Sequence, residues 1–265
     1  PLKDTGKMIS IMGDEKLARQ HIKESGLPVS LANLNSPRQS IVAGPSEEID
    51  AFKAYLDKNR VSNKILFVSH AFHSDVVNPV ADIFHEGISG LPFKRSDVRV
   101  MINHRGSYYP NINRELKNIP QILREQILEP VNFVESVRKL YADGVRLFIE
   151  MGPGSILSGL CRDILKDKEV SILTTNFKNK NDLETLQRFR AALFADGVKT
   201  KALPSSHTSS SATLQHSNVP IQQSTDSASQ VDSSGPSRNG NVTVVYSGVS
   251  IGLPGLYKES FRDDN

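Results

Sequence analysis

The chain has 265 residues, which is room for one large domain or two modest ones. Its 32 basic and 29 acidic side chains leave a formal charge of +3, too small to indicate a nucleic-acid surface. The single cysteine, Cys161, excludes a disulfide framework and a cysteine-rich zinc site, and no apolar run approaches the roughly 18 residues of a membrane span. The chain starts without Met and lacks a signal peptide's apolar core. We therefore expect a piece of a longer protein in a reducing, cytoplasmic setting.

The first 70 residues alternate strand and helix signals. The predicted order is strand Met8–Met12, helix Asp14–Ser25, strands Val29–Asn33 and Ser40–Ala43, a second helix that Ser46 can cap, and a buried strand Ile65–Val68. Asp14 is a good cap for the first helix, and Gly26 is a good stop. The resulting βαββαβ order is typical of ferredoxin-like domains.

The next 125 residues alternate in a different way. The predicted elements are a helix with Val76, Val77, Val80, Ile83 and Phe84 on one face, strand Val98–Asn103, helices around Ile122–Leu128 and Phe133–Leu140, strand Leu147–Glu150, helix Ile156–Leu165, strand Ser171–Leu173 and a last helix with Leu183, Leu186, Phe189 and Leu193 on one face. Strands that alternate with helices indicate a parallel sheet covered by helices.

The composition changes sharply after this region. Residues 201–240 hold 12 serines, only four charged residues and no Phe or Tyr. Such a segment cannot bury enough apolar surface to offset the entropy lost on ordering, so we predict a disordered linker over 200–241. The β-rich run VTVVY that follows indicates the truncated start of another domain over 242–265.

Two histidines stand together in the segment SHAFHS, directly after the predicted strand Ile65–Val68. An imidazole at the end of a rigid strand is well placed to act as a base, although spacing alone favours a structural histidine for both His70 and His73. A zinc site is disfavoured, because the pair is three residues apart with no third ligand nearby.

The turn GPG at residues 152–154 joins a predicted strand to a helix, where free backbone N–H groups can hold a phosphate. A tight turn without a ligand is the more ordinary interpretation. The chain has no nucleotide-binding glycine motif, and residues 1–200 contain no G-x-S-x-G nucleophile elbow. Ser158 lies inside a predicted helix, so we expect it to serve packing.

Four stretches, in this order and spacing, resemble one family. They are residues 6–12 (GKMISIM), 33–44 (NLNSPRQSIVAG), 68–74 (VSHAFHS) and 129–154, which begins with EPVNF and ends with FIEMGPG. Together they are similar to the acyltransferase domain of type I polyketide synthases and multienzyme fatty acid synthases, the malonyl-CoA:acyl carrier protein transacylase family. The resemblance implies an α/β fold with a ferredoxin-like small subdomain over 6–70 and the C-terminal part of an incomplete α/β-hydrolase-like large subdomain over 71–199.

The family's reaction, as the resemblance implies it, runs in two half-reactions. A serine takes a malonyl-type acyl group from CoA and passes it to the phosphopantetheine thiol of an acyl carrier protein. The resemblance makes His73 the catalytic base and assigns substrate binding to Phe72, His70 and Asn35. Phe72 would crowd a methylmalonyl group, His70 would support the motif, and Asn35 would shape the cleft. Backbone around Glu150–Gly152 is the expected partner of the imidazole.

The resemblance also implies what the chain needs from elsewhere. The family's elbow serine, oxyanion glutamine and carboxylate-binding arginine precede the small subdomain, so we expect this chain to be inactive alone. Residues 242–265 are similar to the start of a ketosynthase domain. The expected partners are malonyl-CoA, the acyl carrier protein and that neighbouring domain, with no nucleic acid, membrane, metal or bound cofactor.

Two other function classes stay open on the sequence. An inactive acyltransferase-like docking platform for a carrier protein would keep the same motifs. An RNA-recognition domain would share the βαββαβ order, but its strands stack bases on aromatic residues. The predicted strands Met8–Met12 and Ser40–Ala43 contain no aromatic residue, which disfavours RNA binding.

Overall fold

The computed structural model describes residues 4–68, 70–177 and 180–198. The predicted linker over 200–241 and the ketosynthase-like segment over 242–265 lie outside the described residues. The helices are α1 (Glu15–Ser25), α2 (Ser46–Lys58), α3 (Asn78–Ser89), α4 (Ile119–Leu128), α5 (Phe133–Ala142), α6 (Ile156–Ile164) and α7 (Asp182–Ala195). The strands are β1 (Lys7–Met12), β2 (Ser30–Ser36), β3 (Gln39–Gly44), β4 (Asn63–Leu66), β5 (Met101–Ile102), β6 (Ser107–Tyr108), β7 (Val131–Asn132), β8 (Leu147–Pro153) and β9 (Ser171–Asn176).

The first four strands and two helices form the ferredoxin-like unit that the sequence predicts. Its strand order is β4-β1-β3-β2, with every neighbouring pair antiparallel. Both helices cover one face, where Ile9, Ile49 and Phe52 are fully buried. The predicted α/β fold class, with this small subdomain, is confirmed.

The helix ends follow from local chemistry, with one correction. Asp14 Oδ1 accepts the Leu17 N–H at 2.9 Å, and Gly26 ends α1 with a positive φ of 65°, as predicted. Ser46 does not cap α2 with its own side chain. Instead, the Ser46 N–H and hydroxyl both donate to the Asp4 carboxylate, at 2.8 and 2.7 Å. An aspartate from before β1 therefore satisfies the helix start.

The strand that leads to the histidines differs from its prediction. The sequence predicts a buried strand Ile65–Val68, whereas β4 spans Asn63–Leu66 at the sheet edge and has no buried residue. The side chain of Phe67, just beyond β4, is 99% exposed. Edge strands pair on one side only, so an apolar run does not by itself place a strand inside a sheet.

The second part of the chain carries the predicted parallel strands. β8 and β9 pair in parallel, and α6 connects them. The core there includes Phe133, Val137, Phe148 and Cys161. The predicted strand Val98–Asn103 is reduced to the two residues of β5. The predicted apolar face of α7 is not buried, since Thr185 is the buried residue of that helix.

Two contacts connect the ferredoxin-like unit with the second part of the chain. β7 extends the ferredoxin-like sheet by pairing in parallel with β2 (Asn33 with Val131), which the sequence did not predict. Arg38, at the β2–β3 turn, forms an ion pair with Asp163 of α6. Across the described residues, no helix is both long and apolar enough to span a membrane.

Candidate active site

His73 lies in the loop between β4 and α3, in an unusual backbone conformation. Its φ is +60°, a region that non-glycine residues rarely adopt. A left-handed non-glycine residue costs of order 1–3 kcal/mol, and such residues cluster at functional sites because the surroundings must hold them in place. The neighbouring structure therefore has to hold His73 firmly.

The loop before His73 is anchored to the start of β1. The Ala71 N–H donates to the Thr5 carbonyl at 2.7 Å, and the fully buried Ala71 side chain packs against Gly6. A Cβ on Gly6 would lie 2.5 Å from both the Ala71 Cβ and the Gly44 carbonyl oxygen. Ser74 closes the turn by donating its hydroxyl to the Ala71 carbonyl at 2.6 Å. The ferredoxin-like unit thus supports one side of the loop.

The other support is the C-terminal end of α4. Pro130 disfavours a helical conformation at Glu129, so α4 ends there and its last carbonyls have no partner within the helix. The Ile127 carbonyl accepts the His73 backbone N–H at 3.2 Å. The carbonyls of Glu129 and Gln126 lie near the imidazole and favour its protonated form. The negative end of the helix therefore holds the histidine.

Burial decides the charge of the imidazole. It lowers the pKa of His73, outweighing the carbonyls of Glu129 and Gln126, and nearby His104 lowers it further. His73 is consequently neutral at neutral pH, the state in which a histidine can accept a proton. Its Nδ1 is buried and has no well-oriented hydrogen-bond partner among the described residues.

A cavity of about 510 Å³ opens beside His73. It lies between the two subdomains, because its walls come from α1, β2, the His73 loop and the segment after α4. Its polar lining includes Arg19 and Lys23 from α1, together with Asp75, Asn78 and Glu129. The cavity therefore offers His73 a substrate-sized space with charges of both signs.

The sequence predicts that backbone around Glu150–Gly152 is the partner of the imidazole, whereas the structure places other carbonyls there. The carbonyls near the ring are those of Glu129 and Gln126, whereas the Glu150 carbonyl accepts the Thr175 hydroxyl at 3.3 Å. The Gly152 carbonyl accepts the Gly154 N–H at 2.9 Å within its own turn. The free carbonyls at the C-terminal end of α4, and not those at the end of β8, therefore lie next to the imidazole.

The Glu150 carboxylate occupies the N-terminus of α6, where a phosphate could otherwise bind. Glu150 accepts the N–H groups of Leu157 and Ser158 at 3.2 and 2.7 Å, which satisfies the helix N-terminus. The buried Ser158 hydroxyl lies 2.8 Å from the Thr174 hydroxyl. Both observations agree with the sequence interpretation of a tight turn and a packing serine.

The three residues assigned to substrate binding lie apart from the cavity lining. The rings of His70 and Phe72 contact each other at 5.7 Å between centroids, and Phe72 is 40% exposed. Asn35 donates its side-chain amide to Gln39 at 2.9 Å across the β2–β3 hairpin. None of the three lines the His73 cavity, and their roles stay predictions. Within the described part of the chain, no group of His, Cys, Asp and Glu could hold a metal ion.

The structure is thus an α/β protein in which a ferredoxin-like unit packs against a parallel α/β layer, with the half-buried His73 at the cleft between them. The family model described as the acyl transferase domain matches residues 2–200. The chain therefore belongs to the acyl transferase domain family.

Individual relatives agree with this assignment. The malonyl CoA-acyl carrier protein transacylase of Bacillus subtilis (strain 168) is 35% identical over 164 residues, 60% of this chain and 50% of that protein. The acyltransferase domain from the second module of the salinomycin polyketide synthase aligns with a TM-score of 0.67 at 25% identity, covering 75% of this chain and 46% of that one.

A third relative was solved with a partner. It is a malonyl transacylase in complex with its type II polyketide synthase acyl carrier protein, with a TM-score of 0.60 at 26% identity, covering 70% of this chain and 59% of that one. The chain thus spans about half the length of the proteins that it matches.

Two parts of the site were not found from the sequence. The carbonyls of α4 come from residues whose side chains give no signal, although Pro130 after a helical pattern indicates free carbonyls at that point. His104 was not singled out either, because a lone histidine between two predicted elements has no motif around it.

Proposed function

We propose that this chain carries the histidine base of an acyltransferase that moves a malonyl group from CoA to the phosphopantetheine thiol of an acyl carrier protein. The observation that carries the proposal is His73 itself: a neutral imidazole held between the ferredoxin-like unit and α4, facing the cleft. Family membership and the transacylase relatives support the reaction class.

In this mechanism, Nε2 of His73 does the proton transfer, since Nδ1 is buried. Nε2 takes the proton of a serine hydroxyl as its oxygen attacks the thioester carbonyl, and returns a proton to the leaving CoA thiolate. The carrier thiol then attacks the serine ester by the reverse route. Ser74 and Ser158 donate or share their hydroxyls elsewhere, and the proposal places the nucleophilic serine outside the described residues.

The substrates themselves carry the reactive groups, so the proposal includes no bound cofactor. Phe72, next to the base, would favour malonyl over methylmalonyl by crowding the extra methyl group, worth about 1–3 kcal/mol. A ketosynthase-like neighbour over 242–265 is part of the same proposal and rests on sequence resemblance.

The decisive experiment measures acyl loading from malonyl-CoA and methylmalonyl-CoA in a longer protein that contains this chain. We expect His73→Ala to slow loading roughly 10²–10⁴-fold, the usual contribution of a positioned acid–base group. His70→Ala should cost much less, and Phe72→Ser should relax discrimination against methylmalonyl. His85→Ala on α3 is the matched control, since its side chain lies outside the cavity lining.

Two results would overturn the proposal. Loading that survives His73→Ala but fails in His70→Ala would move the base to the other histidine. A wild-type protein that binds carrier protein but is never acylated would instead favour the docking-platform function.

A further inference from the structure

A second imidazole is buried close to the site and is not used by the proposed mechanism. His104 lies in the turn between β5 and β6, and its side chain is 3% exposed. Neither ring nitrogen has a well-oriented hydrogen-bond partner among the described residues. Buried polar groups are nearly always paired, so an imidazole kept in this state calls for a physical reason.

A carboxylate of α4 lies close to His104. The His104 Nε2 lies 3.7 Å from Glu125 Oε2, beyond hydrogen-bond distance but well within electrostatic reach. Glu125 is also paired with Arg105, the residue after His104, and accepts the Gln121 side-chain amide at 3.1 Å. The β5–β6 turn is therefore attached to α4 through the Glu125 carboxylate.

Glu125 belongs to the same turn of α4 that holds His73. Its carbonyl accepts the Glu129 N–H at 2.7 Å, the bond that closes the last turn. The next two residues, Gln126 and Ile127, present their carbonyls to His73. A displacement of Glu125 would therefore move the backbone groups that hold the base.

The charges around His104 come from every element packed against it. They are Glu125 on α4, Glu129 after α4, Arg105 in its own turn and His73 across the site. Burial lowers the pKa of His104, Arg105 lowers it further, and Glu125 and Glu129 raise it. A proton on His104 also disfavours a proton on His73.

We propose that His104 is a positioning residue for His73, acting through Glu125 and the last turn of α4. This inference rests on the proposed function, in which His73 is the base. Its consequence is that replacing His104 weakens the carbonyl support of His73 and changes the pH at which His73 binds a proton.

The test is an NMR titration of the full 265-residue chain with ¹³C-labelled histidine, following the Cε1–H signals of His73 and His104. Two interacting sites titrate in broadened or two-step curves rather than one-proton curves. In His104→Gln we expect His73 to give a single one-proton curve at a higher pH than in the wild type. His21→Gln, at another buried histidine that contacts Tyr55, should leave the His73 curve unchanged.

Hydrogen exchange of the His73 amide tests the positioning role of His104 directly. The His73 amide, bonded to the Ile127 carbonyl, should exchange its hydrogen faster in His104→Gln and in Glu125→Gln but not in His21→Gln. In Glu125→Gln, His104 loses a carboxylate that favours its protonation, so the His73 curve should also approach a one-proton shape.

The inference fails if His73 titrates identically in the wild type and in His104→Gln. Should His104→Gln not fold, Glu125→Gln decides: a His73 amide that exchanges as slowly as in the wild type would overturn the positioning role. A His73→Ala protein with normal acyl transfer would overturn the proposed function instead and would not alter these titrations.

Discussion

The ferredoxin-like unit and the region after it bury their apolar residues to very different degrees. From β1 to β4 the large side chains are inside, and Met12 is the only large apolar residue that is more than half exposed there. From α3 to α7 the surface carries Ile83, Met151, Ile156 and Phe194. Both regions nevertheless have a recognisable core.

This difference in the burial of apolar residues follows from the type of sheet in each region. An antiparallel four-stranded sheet with two helices covers its own core face, so sequence periodicity reports burial well. A parallel pair such as β8 and β9 needs layers on both faces, and the described residues provide α6 and α7 around only two strands. His73 stands between the two regions and depends on both.

The largest expected effect tests the core of the first region. Phe52→Ala removes a fully buried ring and should lower the free energy of unfolding by about 3–5 kcal/mol. Phe194→Ala is the matched change in the second region, where the ring is 76% exposed, and should stay within about 0.5 kcal/mol. Urea denaturation measures both. Equal losses would contradict the contrast between the regions.

A second prediction asks whether the second region has a formed core despite its exposed surface. Burial raises the pKa of Cys161 to about 12, so its native thiolate fraction is far below that of an exposed thiol. Alkylation at about pH 8 should be roughly a thousandfold slower in the native chain than in urea. Mass spectrometry of the labelled peptide measures the rate, with Cys161→Ser as the blank. Rapid native labelling would show that this core opens freely.

A third prediction concerns the junction of the regions at Gly6. Gly26→Ala places a side chain at positive φ in open space and should cost roughly 1–2 kcal/mol. Gly6→Ala adds collisions with Ala71 and the Gly44 carbonyl, so the loss should reach about 3 kcal/mol. Thermal melts compare the two variants. A Gly6→Ala loss no larger than that of Gly26→Ala would mean that the Ala71 contact is loose.

The smallest effect is a dependence of stability on pH at the start of α2. Hydrogen bonds from Ser46, first its hydroxyl and then its amide, lower the pKa of Asp4 to about 2 from 3.8. A lowered carboxyl pKa stabilises the fold above the unfolded value, and this contribution disappears as the pH falls through about 2. Asp4→Asn should therefore be less stable than wild type near neutral pH, and most of this difference should be gone at about pH 2. A difference that is the same at both pH values would contradict this origin.

The sequence by itself determined the elements whose signals are local. Alternation, the Asp14 cap and the Gly26 stop defined the βαββαβ unit, because each depends on residues within one or two turns. The motif order pointed to the acyltransferase family and to His73, and family membership is confirmed. The roles of Phe72, His70 and Asn35 stay predictions, since the geometry places them outside the cavity lining.

Tertiary structure decided what depends on residues far apart in the chain. β4 became a half-buried edge strand and α7 left Leu183 and Leu186 exposed, because burial is set by neighbours and not by periodicity. The support of His73 comes from backbone carbonyls more than 50 residues later, freed where Pro130 ends α4. Backbone groups are the same in every residue, so only the folded chain shows which of them meet the imidazole, or that His104 is buried beside them.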